Sequence, residues 1–302
     1  FIITGSSLVK CFQSGLISNK PFFAVQGVDI SIHDGEIYAL VGESGSGKST
    51  LGKMLVGLIE PTNGRIFYHG DDITKFSGIK LAELRRKVQV IPQHPEDAFN
   101  PRWKLSKSIN EPLRVHRAIK ENGHMQKFIM ALLHDTGLPH ECIERYPHQL
   151  SGGELQRAAI ARALALEPDF ILCDEPTSML DVSVQASIIQ LLLKLHESRK
   201  ISYLFITHDL HLAECIADRV GVMYKGRIVE EGPDILKSPM HPYTQSILSH
   251  NKSTKSEIYE CPPDSCPFFP QCHKKTDICL TNPPYVTYGD RRVQCHNVLH
   301  QT

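Results

Sequence analysis

Gly42-Glu43-Ser44-Gly45-Ser46-Gly47-Lys48-Ser49 matches G-x-x-x-x-G-K-[ST], the pattern of a loop that wraps nucleotide phosphates. Ile37-Tyr38-Ala39-Leu40-Val41 before it reads as a buried strand, and Thr50 to Leu58 after it as the start of a helix. That is the setting the motif requires. Gly45 and Gly47 let the backbone turn its amides inward, and the following helix N-terminus adds its dipole. Lys48 is expected to reach the β- and γ-phosphates, and the Ser49 hydroxyl to ligate Mg²⁺. Gly42, Ser44 and Thr50 complete the loop's binding set. A glycine-rich turn with a chance lysine is the competing reading, and the flanking strand and helix argue against it.

The 302 residues suffice for one large domain plus a smaller one. The chain is 41% hydrophobic and 22% charged, ordinary for a globular protein. Net charge is zero, so no global basic field exists to hold nucleic acid. No run of 18 apolar residues occurs, so the chain is not expected to cross a bilayer by itself. Phe1-Ile2-Ile3-Thr4 lacks the basic region of a signal peptide, which points to the cytoplasm.

Strand candidates open the chain at Ser7 to Phe12, Phe23 to Ile32 and Ile37 to Val41, with further short ones at Asn63 to Gly70 and Arg86 to Ile91. From about Pro101 to Pro147 the period becomes helical, over Ile109 to Ile119 and Met125 to Thr136, with Gly137 as a stop. Buried strands return at Phe170 to Cys173 and Ser202 to Ile206, joined by a helix over Val184 to Glu197, an alternation that argues for βαβ units. Val220 to Tyr224 and Arg227 to Glu230, split by Lys225-Gly226, read as a hairpin. Past Ser246 the composition turns to Pro, Cys, Asn and Lys without period. The chain therefore divides into 1–246, with a helical subdomain at about 101–160, and a tail at 247–302.

Asp174 and Glu175 end the apolar strand, where a phosphate-loop protein meets Mg²⁺ with one carboxylate and orients the attacking water with the next. Leu150-Ser151-Gly152-Gly153-Glu154-Leu155-Gln156-Arg157 is a second glycine motif ahead of a helix, an anion site by the same physics as the first. One nucleotide needs one phosphate loop. Two such motifs invite a site shared across a dimer, with a plain helix cap as the alternative.

In this order the motifs resemble those of the nucleotide-binding subunit of ATP-binding-cassette transporters, over residues 7 to 247. The resemblance implies an α/β P-loop NTPase cassette with an antiparallel β subdomain and a helical insertion, followed here by a small Cys-rich C-terminal domain. It implies that Gln93 touches Mg²⁺ and senses the membrane partner, that Asp174 holds Mg²⁺, and that Glu175 is the general base. His208, in Ile206-Thr207-His208-Asp209, is implied to contact the γ-phosphate, and Ser151, Gly152 and Gly153 to form the signature that reaches the partner's nucleotide. Ser178-Met179-Leu180-Asp181 matches the D-loop, although the family more often has alanine at the second position. Phe12 falls where the family stacks an aromatic ring on adenine, with Phe22 and Phe23 as alternatives.

Glu60-Pro61-Thr62-Asn63-Gly64, Asp97-Ala98-Phe99-Asn100-Pro101-Arg102, Arg145-Tyr146-Pro147-His148 and His241-Pro242-Tyr243-Thr244-Gln245 resemble the importers of dipeptides, oligopeptides and nickel. Ser49-Thr50-Leu51-Gly52 and the Glu60 segment look more like the second ATPase of the family's pair. Implied partners are a paralogous ATPase subunit in a heterodimer, two transmembrane permease subunits and an extracellular substrate-binding protein, with no nucleic acid. The implied place is the cytoplasmic face of the membrane. Peptide import is the leading role and nickel or nickel-chelate import the next; a soluble cassette acting on ribosomes or DNA is the reading of another class. Pro92-Gln93-His94 departs from the usual Phe-Gln-Asp. Gln93 to Trp103 is the candidate lining of the permease groove, Trp103 being equally readable as core.

Of nine cysteines, five crowd the tail: Cys261, Cys266, Cys272, Cys279 and Cys295. Their density suits a disulfide scaffold but not a reducing compartment. Apart from Cys261 to Cys266, their spacing lacks the tight pairs of common zinc knuckles. Resemblance to the peptide-importer tail implies a [4Fe–4S] site on Cys266, Cys272, Cys279 and Cys295, with Cys261 outside the set. Zinc and uncoordinated thiols are the alternatives.

Overall fold

A computed structural model describes residues 1–13, 21–118, 122–249 and 265–300. Cys261, with residues 250–264 of the tail, and residue 119 of the expected 109–119 helix lie outside these. The chain runs β1 (Ile3–Gln13), β2 (Pro21–Ile32), β3 (Ile37–Val41), α1 (Lys48–Leu55), β4 (Asn63–Tyr68), β5 (Asp71–Asp72), α2 (Gly78–Lys87), β6 (Val88–Ile91), α3 (Leu105–Val115), α4 (Asn122–Thr136) and α5 (Gly152–Leu164). It continues through β7 (Phe170–Asp174), α6 (Val182–Arg199), β8 (Ser202–Thr207), α7 (Leu210–Ile216), β9 (Arg219–Tyr224), β10 (Arg227–Gly232), α8 (Pro242–Leu248), β11 (Tyr285–Tyr288) and β12 (Arg291–Gln294).

Two sheets form. The antiparallel one has the order β2-β1-β4-β5; the larger has β11-β12-β10-β9-β3-β8-β7-β6. Strands β9, β3, β8, β7 and β6 are mutually parallel, and β10, β12 and β11 extend them antiparallel. The sequence reading of buried strands holds because β3, β7 and β8 are buried along their whole length, as parallel strands covered on both faces are. Alternate residues then serve two cores. Tyr38, Leu40, Leu172, Leu204 and Ile206 face α1 and the antiparallel sheet, while Ile171, Cys173, Tyr203 and Phe205 face the helical layer of α3 to α6. In α1, Leu51, Met54 and Leu55 are fully buried, each stabilising by about 1.5–3 kcal/mol.

Helix α2 escapes the apolar-period reading because Leu84 is its one buried residue. For the same reason the expected strand start at Arg86 is wrong: Arg86 and Lys87 close that helix. Helix α3 begins four residues before the expected Ile109, at Leu105, and its Pro112 sits inside the helix.

The tail does not stand apart from the main sheet. Strand β12 pairs with β10 through Glu230↔Val293 and Glu231↔Arg292. Arg292 reaches Glu231 at 3.1 Å and donates to the Asp29 carbonyl at 2.6 Å. Glu231 also accepts from the Tyr38 hydroxyl at 2.9 Å, and Arg219 bonds Glu36 at 3.1 Å. Burial, and then the Glu231 charge, hold the Tyr38 phenol well above its ordinary pKa, so it stays a neutral donor. A Cβ on Gly221 would stand 2.2 Å from that fixed hydroxyl. Gly221→Ala is therefore expected to destabilise the fold by about 1–3 kcal/mol, as overpacking does. A calorimetric scan would show a melting temperature lower by about 2–4 °C per kcal/mol; no change would mean that Tyr38 can move aside.

Candidate nucleotide site

Parallel register brings the site together. Strand β3 pairs with β8 up to Val41↔Thr207, and β7 with β8 up to Asp174↔Ile206. One sheet edge therefore receives Gly42, Asp174-Glu175 and His208, and β6 delivers Gln93 to it two residues past Ile91. Clefts at the carboxyl ends of parallel strands are where α/β sheets bind ligands.

Gly42, Gly45 and Gly47 take φ of 149°, 78° and 108°. A Cβ on Gly42 would lie 2.2 Å from the Met223 carbonyl oxygen, and one on Gly47 2.2 Å from that of Ala24. Both glycines are required twice over, by dihedral and by close approach. Helix α1 follows at Lys48. At its buried Gly52 a Cβ would meet Leu172 at 2.8 Å and Ile206 at 2.9 Å. Because Gly52 lets α1 lie close on β7 and β8, Ser49 meets the end of β7. Its hydroxyl donates to Asp174 Oδ1 at 2.8 Å.

Lys48 is buried, and its Nζ donates to the carbonyls of Gly42 at 2.8 Å and Glu43 at 2.9 Å. Burial lowers its pKa, while Glu175, Asp174 and Glu43 pull it back up. Burial raises the Asp174 pKa, opposed by the Ser49 hydroxyl and Lys53. A divalent cation there would favour the ionised carboxylate. The hydroxyl–carboxylate pair is the oxygen donor set that suits Mg²⁺ alongside phosphate and water.

Two of the expected residues converge on one atom of a third. Glu175 Oε2 accepts from Gln93 Nε2 at 3.2 Å and stands 3.3 Å from His208 Nδ1. Glu175 takes the left-handed φ of 47°, with its N–H donating to the Ile206 carbonyl at 3.0 Å. A non-glycine residue held there stores about 1–3 kcal/mol of strain, the kind found at functional sites. Gln93 bonds Glu175 rather than Asp174.

Ser151 caps α5 in a reciprocal box: its hydroxyl accepts from Glu154 N–H at 3.3 Å and its N–H donates to Glu154 at 2.8 Å. A Cβ on Gly153 would meet Val184 at 2.8 Å, and one on Gly152 would meet Leu180 at 3.2 Å. Among the described residues, Ser151 to Gly153 make no hydrogen bond to residues 42–49 of their own chain. Asp181 is exposed at the start of α6 and makes no capping bond there. Ser44 is exposed and Thr50 half-buried.

Phe12 and Phe22 are paired across β1 and β2, as are Cys11 and Phe23. Cross-strand partners share a face and neighbours alternate, so Phe12 and Phe22 lie on one face and Phe23 on the other. Phe22 and Phe23 precede Ala24, the residue in contact with Gly47. Trp103 is half-buried beneath the Lys107 ammonium at 3.9 Å. It does not line the groove of about 540 Å³ between α2 and α3, which Leu58, Arg85, Pro92, Asp97, Val115 and Arg162 help to border.

Cys266, Cys272, Cys279 and Cys295 border one narrow cavity, and all four are buried. Burial pushes the Cys266 thiol up to about 11 and raises Cys272 and Cys295 as well. Sulfur-only donors suit an iron–sulfur group by chemistry. Among the described residues, however, no three His, Cys, Asp or Glu side chains are arranged to hold a metal ion. The expected metal centre, whether iron–sulfur or zinc, is thus not supported by side-chain placement, which supplies only four thiols around a common space.

The sequence reading missed three supports of the phosphate loop: Met223 against Gly42, the Gly226 N–H donating to the Ser46 carbonyl at 2.8 Å, and the Tyr243 hydroxyl at the Glu43 amide. All lie about 180–200 residues downstream of the loop, and only the run His241-Pro242-Tyr243 carried any signal.

A family model described as ABC transporter matches residues 25–178. The dipeptide transport ATP-binding protein DppF of Haemophilus influenzae is 38% identical over 278 residues, covering 87% of this chain and 85% of that protein. The oligopeptide transport ATP-binding protein OppF of Streptococcus mutans is 45% identical over 228 residues, 75% and 74% of the two chains. An ATP-binding cassette solved as a dimer in a post-hydrolysis state, bound to ADP and Pi, is 29% identical with a TM-score of 0.70. It covers 76% of this chain and 98% of that one.

Proposed function

The chain belongs to the ABC transporter family, and from that premise we propose that it is the ATP-hydrolysing subunit that powers peptide import across a membrane. The observation that carries the chemistry is the meeting of Gln93, Glu175 and His208 on one carboxylate oxygen, beside the Ser49–Asp174 pair and the Lys48 loop. Lys48 grips the β- and γ-phosphates. Glu175, steadied by Gln93 and His208, orients and deprotonates the water for in-line attack. Ser49 and Asp174, with Gln93 beside them, would hold Mg²⁺, which when bound neutralises phosphate charge.

Dipeptide and oligopeptide transport are the roles named for the relatives, and they support peptides as the cargo here. Ser151, Gly152, Gly153 and Asp181 complete the nucleotide site of a paralogous partner ATPase. Their lack of hydrogen bonds to their own phosphate loop, and the dimeric form of the similar cassette, support this. Phe12 stacks on adenine; Phe22, its cross-strand partner, is the alternative on the same face. Of the two permease subunits, one lays a short cytoplasmic helix in the groove between α2 and α3, and a substrate-binding protein outside the membrane supplies cargo. Among the described residues no helix is long and apolar enough to cross a membrane. The subunit would sit on the cytoplasmic face through those permeases. Residues 1–246 form the nucleotide-binding domain, with its helical subdomain at about 101–160, and 247–302 the tail.

Co-expression with the permeases tests this reading. Copurification and peptide-stimulated ATP hydrolysis in vesicles are expected; a chain that hydrolyses ATP equally fast and never associates with membrane subunits would refute the transport role. In the tail, Cys266, Cys272, Cys279 and Cys295 would hold a [4Fe–4S] cluster of structural or redox-sensing role, a reading supported by their sulfur-only donor type and not by side-chain placement. Iron and sulfide analysis of anaerobically prepared protein, with its absorption spectrum, decides it; absence of both leaves four buried thiols.

A further inference from the structure

Behind the phosphate loop stands an aromatic group that belongs to no nucleotide motif. The Glu43 N–H donates to the Tyr243 hydroxyl at 3.3 Å, across 200 residues of chain. The carbonyl of the same Glu43 accepts from Lys48. One residue of the loop is therefore held from both sides, by the lysine within the site and by a tyrosine behind it. Tyr243 is buried at 2% exposure. Its ring centre lies 4.4 Å from that of Tyr224 and 5.5 Å from that of Phe268.

Phe268 meets Tyr224 edge-on at 5.4 Å. Tyr224 ends β9, directly before the Lys225-Gly226 turn whose Gly226 N–H holds the Ser46 carbonyl. The one phenylalanine thus backs two of the three external supports of the loop, those at Glu43 and at Ser46. Its other side borders the thiol cavity, next to Cys266 and Cys272. A tight turn fixes it there: Cys266 N–H donates to the Cys279 carbonyl at 3.0 Å, and Phe269 N–H to the Cys266 carbonyl at 2.9 Å. Close-packed aromatic contacts transmit displacement, since interiors have low compressibility.

We propose that Tyr243 is a positioning residue for the phosphate loop and that Phe268 sets its place, so that the packing of the thiol-lined cavity in the tail governs the loop's affinity for nucleotide. The inference rests on the reading of residues 42–49 as the ATP site. It makes the tail a regulator of that site rather than an appendage. A loop that binds phosphate through its own amides depends on their direction. Loss of the Tyr243 acceptor frees the first limb of that loop.

Three variants of the full chain test this, with a fluorescent ATP analogue for Kd, steady-state hydrolysis, and hydrogen exchange at the Glu43 amide. Tyr243→Phe keeps every ring contact and removes only the acceptor. Its Kd is expected to rise about fivefold, the size of one net hydrogen bond. Glu43 should exchange faster, with turnover at saturating ATP within about twofold of wild type, since the base is untouched. Phe268→Leu and Phe268→Met, which touch no loop residue, are expected to raise Kd in the same direction; two apolar replacements ensure a folded variant. Wild-type Kd and exchange in Tyr243→Phe would overturn the positioning role. A raised Kd in Tyr243→Phe with wild-type Kd in the Phe268 variants would overturn the link to the tail. Failure of the ATP-site reading would look different: Lys48→Ala would then bind the analogue as wild type does.

Discussion

Glu175→Gln is expected to bind ATP with wild-type affinity and to lose turnover by about 10²–10⁴-fold, the contribution of a positioned general base. The substitution is close to isosteric, so the left-handed backbone at Glu175 and its N–H bond to Ile206 are retained. What disappears is the carboxylate oxygen on which Gln93 and His208 converge. An amide can keep one of these neighbours by hydrogen bonding but cannot take a proton from water. Single-turnover hydrolysis alongside equilibrium nucleotide binding, in the complete transporter, checks both halves. Full-rate hydrolysis would remove Glu175 from the role of base, and lost binding would assign it to the ground state.

Lys48→Ala is expected to weaken ATP binding by about 10–150-fold, from about 1.5–3 kcal/mol for a charged hydrogen bond. Its ammonium is buried and held by the Gly42 and Glu43 carbonyls, a position from which it can turn to phosphate with little reorganisation. Removing it leaves those carbonyls short of a donor and takes the positive charge from beside Asp174 and Glu175. Lys48→Arg is expected to recover little, because a planar guanidinium cannot replace a compact ammonium in so closed a loop. Isothermal titration with a slowly hydrolysed ATP analogue gives the numbers. Unchanged affinity in Lys48→Ala would overturn the reading of residues 42–49 as the ATP site.

Gln93 and His208 show how far spacing reaches. Each follows a predicted strand, and the parallel sheet then delivers both to the edge where Glu175 lies. Helix α2 shows where it stops: with Leu84 alone buried, α2 has no apolar period to read. Trp103 and the phenylalanines near Phe12 were ambiguous because aromatic residues are common to cores and binding platforms alike; strand register, absent from a linear pattern, separates Phe23 from Phe12 and Phe22. In the tail, the cysteines were plain as a group, but their joint cavity depends on turns with no period.

Local order determined the phosphate loop, the carboxylate pair after β7 and the helix cap at Ser151, because each is built from contiguous residues whose backbone and side chains act together. Tertiary structure alone decided that β12 would join the main sheet, that Gly226 and Tyr243 would brace the loop from behind, and that Ser151 to Gly153 would make no hydrogen bond to their own chain's loop. These follow from pairing and packing between segments far apart in the chain, and the free energy of such contacts depends on shapes that no short stretch of residues encodes.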